Sequence, residues 1–346
     1  MHKDDQMTPK ERMAAFGKGE PIDRIPTLPF TSLIGARIAG MSLREMRQKP
    51  ENEAIAQIAA YRRLGHDGLT VDYGLHNVGV SLGSRLSDPP NGVPAVVSFA
   101  LEDLSQVDHL DMSQTTFTKD AELRARCASA EYMLRELGDE CGVDVTLSGP
   151  FTAASSLFSP ERLLKSLIRD PAGVHKLLRF CTDALKGICT EFAKRELSFT
   201  ICDPVASGTM IRARHYREFV YDYTKELVDH IHSLHTEVGY HICGDSSPIL
   251  VDMVETGVDL LSLDNIVDMC YAKETVGDKI CIVGNVDPVG VLMMGTTHDV
   301  ESAVLACMHK SQDSPKGFVL ATGCDIPYET PIENVDYFME IARKYG

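Results

Sequence analysis

No run of 18 apolar residues occurs in the chain, so nothing in it reads as a membrane-spanning helix. The opening segment, MHKDDQMTPKERM, lacks the apolar stretch of a secretory leader. Low-complexity tracts and recognisable linkers are missing as well. No G-x-G-x-x-G follows a candidate strand, so a nucleotide cofactor is unsupported. Gly17-Lys18-Gly19 lacks the spacing of a phosphate loop. Basic residues are scarce: 34 Lys and Arg against 50 Asp and Glu give a formal charge of −16. Such a surface repels phosphate backbones, which argues against a nucleic-acid partner, though not against a small anion held locally.

What is present is an ordinary globular composition over 346 residues, 44% hydrophobic and 24% charged. Ten cysteines are an even number, but a disulfide framework belongs to short secreted chains. The expectation is a cytoplasmic protein with reduced thiols. Cys127, Cys141, Cys181, Cys189, Cys202, Cys270, Cys281 and Cys307 are expected to be small buried hydrophobes.

Helix starts are plentiful. Thr8–Glu11, Ser42–Glu45 and Thr330–Glu333 read as capping boxes, and Asp170-Pro171 is a similar start. After Pro171, Val174, Leu177, Leu178, Cys181, Leu185, Ile188 and Phe192 mark one apolar helix face. Short apolar runs lie between the helices: 69–74, 143–150, 198–204, 238–244, 259–265, 279–285 and 317–324, with an eighth near 25–30. From residue 143 onward strand and helix alternate, which implies parallel strands with crossover helices. Seven or eight units predict a closed (β/α)8 TIM barrel with an N-terminal helical extension. The chain is read as a single domain over 1–346. Residues 1–65 supply the N-terminal helices and first strand, and 66–346 the remainder of the barrel. The irregular stretch 75–118 accounts for the surplus length.

Chemistry in such a barrel sits where strands end. The strand ends carry Asp72, Asp203, His241, Cys243, Asp264, Asn285 and Cys324. Each has a bland alternative, since a strand-end Asp caps a helix and Asn285 or Asp203 can make a turn. His241 and Cys243 stand two residues apart, so both side chains face one side of a strand. Cys324 ends the last strand, and all strands converge on one mouth. A His/Cys/Cys set suits tetrahedral Zn2+, with the fourth position left open as in catalytic sites. A buried cysteine pair beside a hydrogen-bonded histidine is the competing reading. His230, His232 and His235 fall on a partly exposed helix face, and Met293-Met294 reads as packing.

Several segments carry a resemblance. They are MTPKERMAAFGKGEPIDRIP (7–26), LSGPFTAASSLF (147–158), HICG (241–244), TGVDLLSLDN (256–265), GNVDPV (284–289) and GCDIPYETPIEN (323–334). Over nearly its whole length the chain resembles the uroporphyrinogen decarboxylase superfamily. Within it, the similarity is to the methylcobamide:coenzyme M methyltransferase branch, enzymes of methanogenesis and one-carbon metabolism.

The resemblance implies a (β/α)8 barrel with zinc on His241, Cys243 and Cys324. It implies a methylated corrinoid as co-substrate, carried on a partner protein, and a small thiol such as coenzyme M as acceptor. Tetrahydrofolate or another acceptor is the alternative within that branch. Asp203 and Asn285 are candidates for contact with the cofactor, and Asp203 for the free nitrogen of His241. Zinc-dependent methionine synthases share an H-x-C…C set followed by a carboxylate on the next strand. By that likeness Asp264 is a candidate fourth ligand in the resting state. Arg212 and Arg214 are guesses for an acceptor sulfonate. A uroporphyrinogen-type decarboxylase is the second reading, disfavoured because R-Q-A-G-R is replaced by FTSLIGARIAG (30–40). A non-catalytic zinc- or corrinoid-binding protein is the third. A homodimer would be in keeping with such a chain.

Overall fold

A computed structural model describes residues 2–346. Eight parallel strands form one sheet that curls into a (β/α)8 barrel. They are β1 (Thr27–Leu28), β2 (Leu69–Gly74), β3 (Val143–Ser148), β4 (Ser198–Cys202), β5 (Val238–Ile242), β6 (Leu260–Leu263), β7 (Cys281–Val286) and β8 (Phe318–Thr322). Ladders run from β2 through β3 to β8 and on to β1. The eight expected strands are therefore all present. The segment after β2 folds into a short helix (Asn77–Ser81), a hairpin (Arg85–Leu86 with Val96–Ser98) and two single-turn helices.

The pleat sends alternate side chains to opposite faces. Val71, Val145, Leu147, Phe199, Ile201, Tyr240, Ile242 and Leu263 point outward and are buried under the helices. Residues of the other parity point into the lumen. On one side of it Cys281, Val283, Val319 and Ala321 pack with Leu28 and Leu260. On the opposite side Thr70, Asp72, Asp144, Thr146, Ser198, Thr200 and Cys202 are only half-buried.

β1 and β2 sit at the two ends of the sheet order, and a side chain closes the seam between them. The Asp67 N–H donates to Thr27 O at 2.9 Å, and Asp67 Oδ2 accepts from Thr27 N at 2.7 Å. The same carboxylate meets Arg24 Nη1 at 2.6 Å and is also paired with Arg12. Arg12 Nε reaches Asp23 Oδ1 at 2.6 Å, and Arg343 Nε reaches Asp5 at 3.0 Å. Both ends of the chain are thus fastened to the barrel base.

The helix starts at Thr8 and Ser42 are complete capping boxes, and Asp170 caps the helix Pro171–Phe192. The third expected box is absent. The last helix, Ile332–Tyr345, begins after Pro331 with no side-chain cap, and Thr330 Oγ1 is buried without a partner. The Thr330 N–H that the box would have used donates to Pro327 O at 3.1 Å, and the Thr330 carbonyl is held by Arg37 Nη1 at 3.0 Å. All ten cysteines are unpaired. Six of the eight expected in the core are buried, whereas Cys202 and Cys270 are partly exposed. Among the described residues no helix is long and apolar enough to cross a membrane.

Candidate metal centre

The mouth at the C-terminal ends of the strands brings His241, Cys243 and Cys324 together. One ligand atom from each lies within 4.8 Å of the others. His241 Nε2 is 3.2 Å from Cys243 Sγ, and Cys243 Sγ is 3.7 Å from Cys324 Sγ. His241 lies near the end of β5, Cys243 just beyond it, and Cys324 two residues past β8.

These distances can be set against a tetrahedral ion. With Zn–S about 2.3 Å and Zn–N about 2.0 Å, tetrahedral edges are roughly 3.8 Å between sulfurs and 3.5 Å between nitrogen and sulfur. The two spacings fall close to these edges, and the third donor pair lies within 4.8 Å, so the donor set suits a tetrahedral ion. The two thiols also share a proton unevenly. The hydrogen bond between them pulls Cys324 toward thiolate, helped by His241, and holds Cys243 protonated. A site that already favours one thiolate is predisposed to a cation.

The free nitrogen of His241 does not meet Asp203. His241 Nδ1 is 3.0 Å from Ser262 Oγ, and both residues are buried. Ser262 stands opposite His241 in the β5–β6 ladder. For Nε2 to act as a ligand, Nδ1 carries the proton and donates it to Ser262, which fixes the tautomer. Phe30 packs edge-on against the imidazole, with centroids 5.8 Å apart.

Asp203 has no exposed surface, so the expectation that it touches a cofactor is corrected. Its Oδ1 accepts from Thr152 N at 2.7 Å and Thr152 Oγ1 at 2.6 Å. It holds the N-terminus of the helix Pro150–Leu157. Burial pushes its carboxyl up to about 6, against the pull of those bonds. Asn285 is likewise a brace. Its Nδ2 donates to Asp264 O at 2.9 Å and Val267 O at 2.7 Å.

Asp264 falls outside the three-atom cluster. Its Oδ2 accepts from Gly244 N at 2.8 Å and its Oδ1 from Ile266 N at 3.0 Å. The structure thus gives Asp264 the task of holding the loop that begins at Cys243. Asn285, Asp264 and Gly244 form a chain of bonds that steadies one candidate ligand. Arg212 and Arg214 are exposed at the start of the helix Ala213–Phe219. Arg37 was not assigned a role from sequence; its Nη1 reaches Tyr328 O and Thr330 O in the loop after Cys324. Asp325, beside Cys324, accepts from Leu33 N at 3.3 Å. Burial, then the Cys324 charge, pushes its carboxyl well above the usual range. Ser262 could have been found from parity, because it lies two residues before Asp264 and faces the same lumen.

Fold and site together define a barrel whose mouth carries an imidazole and two thiols at metal-binding distance. The chain belongs to the uroporphyrinogen decarboxylase family: the sequence profile described as Uroporphyrinogen decarboxylase (URO-D) matches residues 8–345. It is 28% identical over 351 residues to the methylcobamide:CoM methyltransferase MtbA of Methanosarcina mazei, covering 98% of this chain and 99% of that one. It is 31% identical to a chloroplastic uroporphyrinogen decarboxylase 2 of Oryza sativa over 216 residues, covering 60% of this chain and 54% of the relative. A solved methyltransferase from Methanosarcina mazei superposes with TM-score 0.87 at 23% identity, covering 98% of this chain and 99% of that structure.

Proposed function

We propose that the protein is a zinc-dependent methyltransferase, moving a methyl group between a methylated corrinoid on a partner protein and a thiol such as coenzyme M. The carrying observation is the His241–Cys243–Cys324 cluster, whose spacings match a tetrahedral ion with a fourth position for substrate. Near-complete coverage of a methylcobamide:CoM methyltransferase supports the same reading, whereas the match to the chloroplastic uroporphyrinogen decarboxylase 2 covers 60% of the chain.

A zinc ion in this site supplies charge that holds an acceptor thiol as thiolate at neutral pH. His241 and the two cysteines would hold it, Ser262 orients the imidazole, and Asp264 with Asn285 fixes the Cys243 loop. Asp264 remains the candidate fourth ligand of the resting state, a place that substrate would take over. A methylated corrinoid bound over the mouth as substrate would supply the methyl group to that thiolate and would keep the electron pair of the carbon–cobalt bond. Ten unpaired cysteines fit a reducing cytoplasm.

The test is zinc per chain by elemental analysis after dialysis against a mild chelator, followed by methylation of coenzyme M from methylcobalamin. Wild type is expected to keep about one zinc per chain, the number a single three-residue site holds. Cys324→Ser should keep little and make no methylated thiol. Metal-free wild type that stays folded and fully active would overturn the proposal.

A further inference from the structure

The barrel lumen contains a polar column that the metal site does not use. Barrel interiors are ordinarily filled with branched apolar side chains. Here that holds only on the side of Cys281, Val283, Val319 and Ala321. Across from them the inward positions of β2, β3 and β4 carry hydroxyls and carboxyls, and most remain half-buried deep inside the molecule. Partial exposure inside a closed ring means that water reaches these side chains.

The ladders place the groups in layers. The uppermost aligns Ser148, Cys202, His241 and Ser262 across β3 to β6. Two residues lower lie Asp72, Thr146, Thr200 and Gly239. Two residues lower again lie Thr70, Asp144 and Ser198. At about 3.3 Å per residue, the column spans roughly 13 Å from the metal layer to the barrel base.

Asp144 lies in the lowest layer. Ser198 Oγ donates to its Oδ1 at 3.1 Å, and Thr146 and Thr200 also bond it. Thr70 faces it from β2, and no charged group acts on it. Higher up, Asp72 is faced by Glu53, Glu122 and Arg126, and its Oδ1 accepts from Gly74 N at 2.8 Å. In the metal layer Ser148 Oγ is buried with no protein partner, the setting in which a water completes the bonding. Hydroxyls, water and a carboxyl can each take a proton on one side and give one up on the other. Burial pushes both the Asp144 and the Asp72 carboxyls up to about 6, near the range in which a group exchanges protons at working pH.

We infer that this column is a proton path between the metal layer and the barrel base, with Asp144 as its terminal acceptor. The inference rests on the methyl-transfer reading, because that chemistry creates the need. Formation of the thiolate breaks an S–H bond, and the mouth is covered while the corrinoid is seated over it. The proton passes along Thr200, Thr146 and bound water to the Asp144 carboxylate, whose O–H bond forms. It returns to solvent before the next cycle. Asp144 is a positioning and relay group that does not touch substrate.

The experiment compares wild type with Asp144→Asn, Thr146→Val and Thr200→Val, each zinc-loaded, using methylcobalamin and coenzyme M. The expected result is a fall in kcat of about 100-fold, the low end of what a lost proton-transfer group costs, with both KM values and zinc content unchanged. The rise of kcat with pH near 6 should vanish in Asp144→Asn. Unchanged kcat and an unchanged pH profile in all three variants overturn the inference. A second readout needs no turnover: the infrared absorption of protonated carboxyls, which falls between pH 5 and pH 8 in wild type, should lose one group's share of that change in Asp144→Asn, with Asp72 and Asp203 supplying the rest. A change of the same size in wild type and Asp144→Asn also overturns it. Absence of any methylated thiol in zinc-loaded wild type would count against the methyl-transfer reading instead, while the infrared titration still decides the column.

Discussion

Ser262 is the residue whose removal separates ligand from support. It is buried, 3.0 Å from His241 Nδ1 and outside the ligand cluster. Ser262→Ala leaves the donor set intact but frees the imidazole to rotate and to place its proton on Nε2. Loss of such a support typically lowers metal affinity by about 10–100-fold. Competition against a graded series of chelators measures this directly, and affinity equal to wild type would show that the bond is incidental. Cys243→Ser should cost far more, because a ligand itself is lost. At this scale the sequence was legible where spacing carries chemistry. The i, i+2 pair His241 and Cys243 needed only strand parity, and Cys324 needed only the convergence of strand ends. Asp203, Asp264 and Asn285 are legible as strand-end residues, but the protein groups they bond are not. Their partners Thr152, Gly244 and Val267 lie 18 to 51 residues away, and local pattern does not encode such distances.

Elements were legible because each strand is an apolar run closed by a small or polar residue, and several long helices show their caps. What parity could not convey is how tightly two elements approach. Gly149, between β3 and the helix Pro150–Leu157, is the sharpest case. A Cβ there would lie 2.2 Å from Asp203 Oδ2 and 2.5 Å from its carboxyl carbon. That carboxylate cannot retreat, since Thr152 N and Oγ1 both hold it and no part of it is exposed. Gly149→Ala therefore has to shift either the helix start or the end of β4. Overpacking of this kind costs about 1–3 kcal/mol. The expected result is a lower urea midpoint at unchanged slope. A midpoint equal to that of wild type would mean that the strand ends yield more readily than this packing implies. The capping box at Thr330 is absent because the backbone N–H that the box would have used donates instead to Pro327 O at 3.1 Å.

At the scale of the whole molecule, the ring is closed by charge rather than by a ladder. Asp67 bonds Thr27 across the seam and is paired with Arg12 and Arg24, while Arg24 and Arg343 both reach Asp5. Removing one member of a buried set leaves the others uncompensated, so Asp67→Ala should destabilise by about 3–5 kcal/mol. Chemical denaturation monitored by circular dichroism checks that value.

His66, the residue before Asp67, gives this clasp a pH signature. It is buried, and neither ring nitrogen has a hydrogen-bond partner. Burial, with Arg24 and Arg343 adding to it, pushes its pKa from 6.5 down to about 3. The folded protein therefore binds fewer protons at His66 than the unfolded chain between those two values. Stability is fully present above the unfolded pKa and is lost as pH falls, at up to about 1.4 kcal/mol per pH unit for this one group. His66→Leu removes the titration without removing any hydrogen bond. The difference in unfolding free energy between wild type and variant, measured in chelator across pH 7 to 4, should shift steadily against wild type below about pH 6. A difference that stays level across that range would show that His66 is protonated in the folded clasp, and that the two arginines tolerate a third cation beside them.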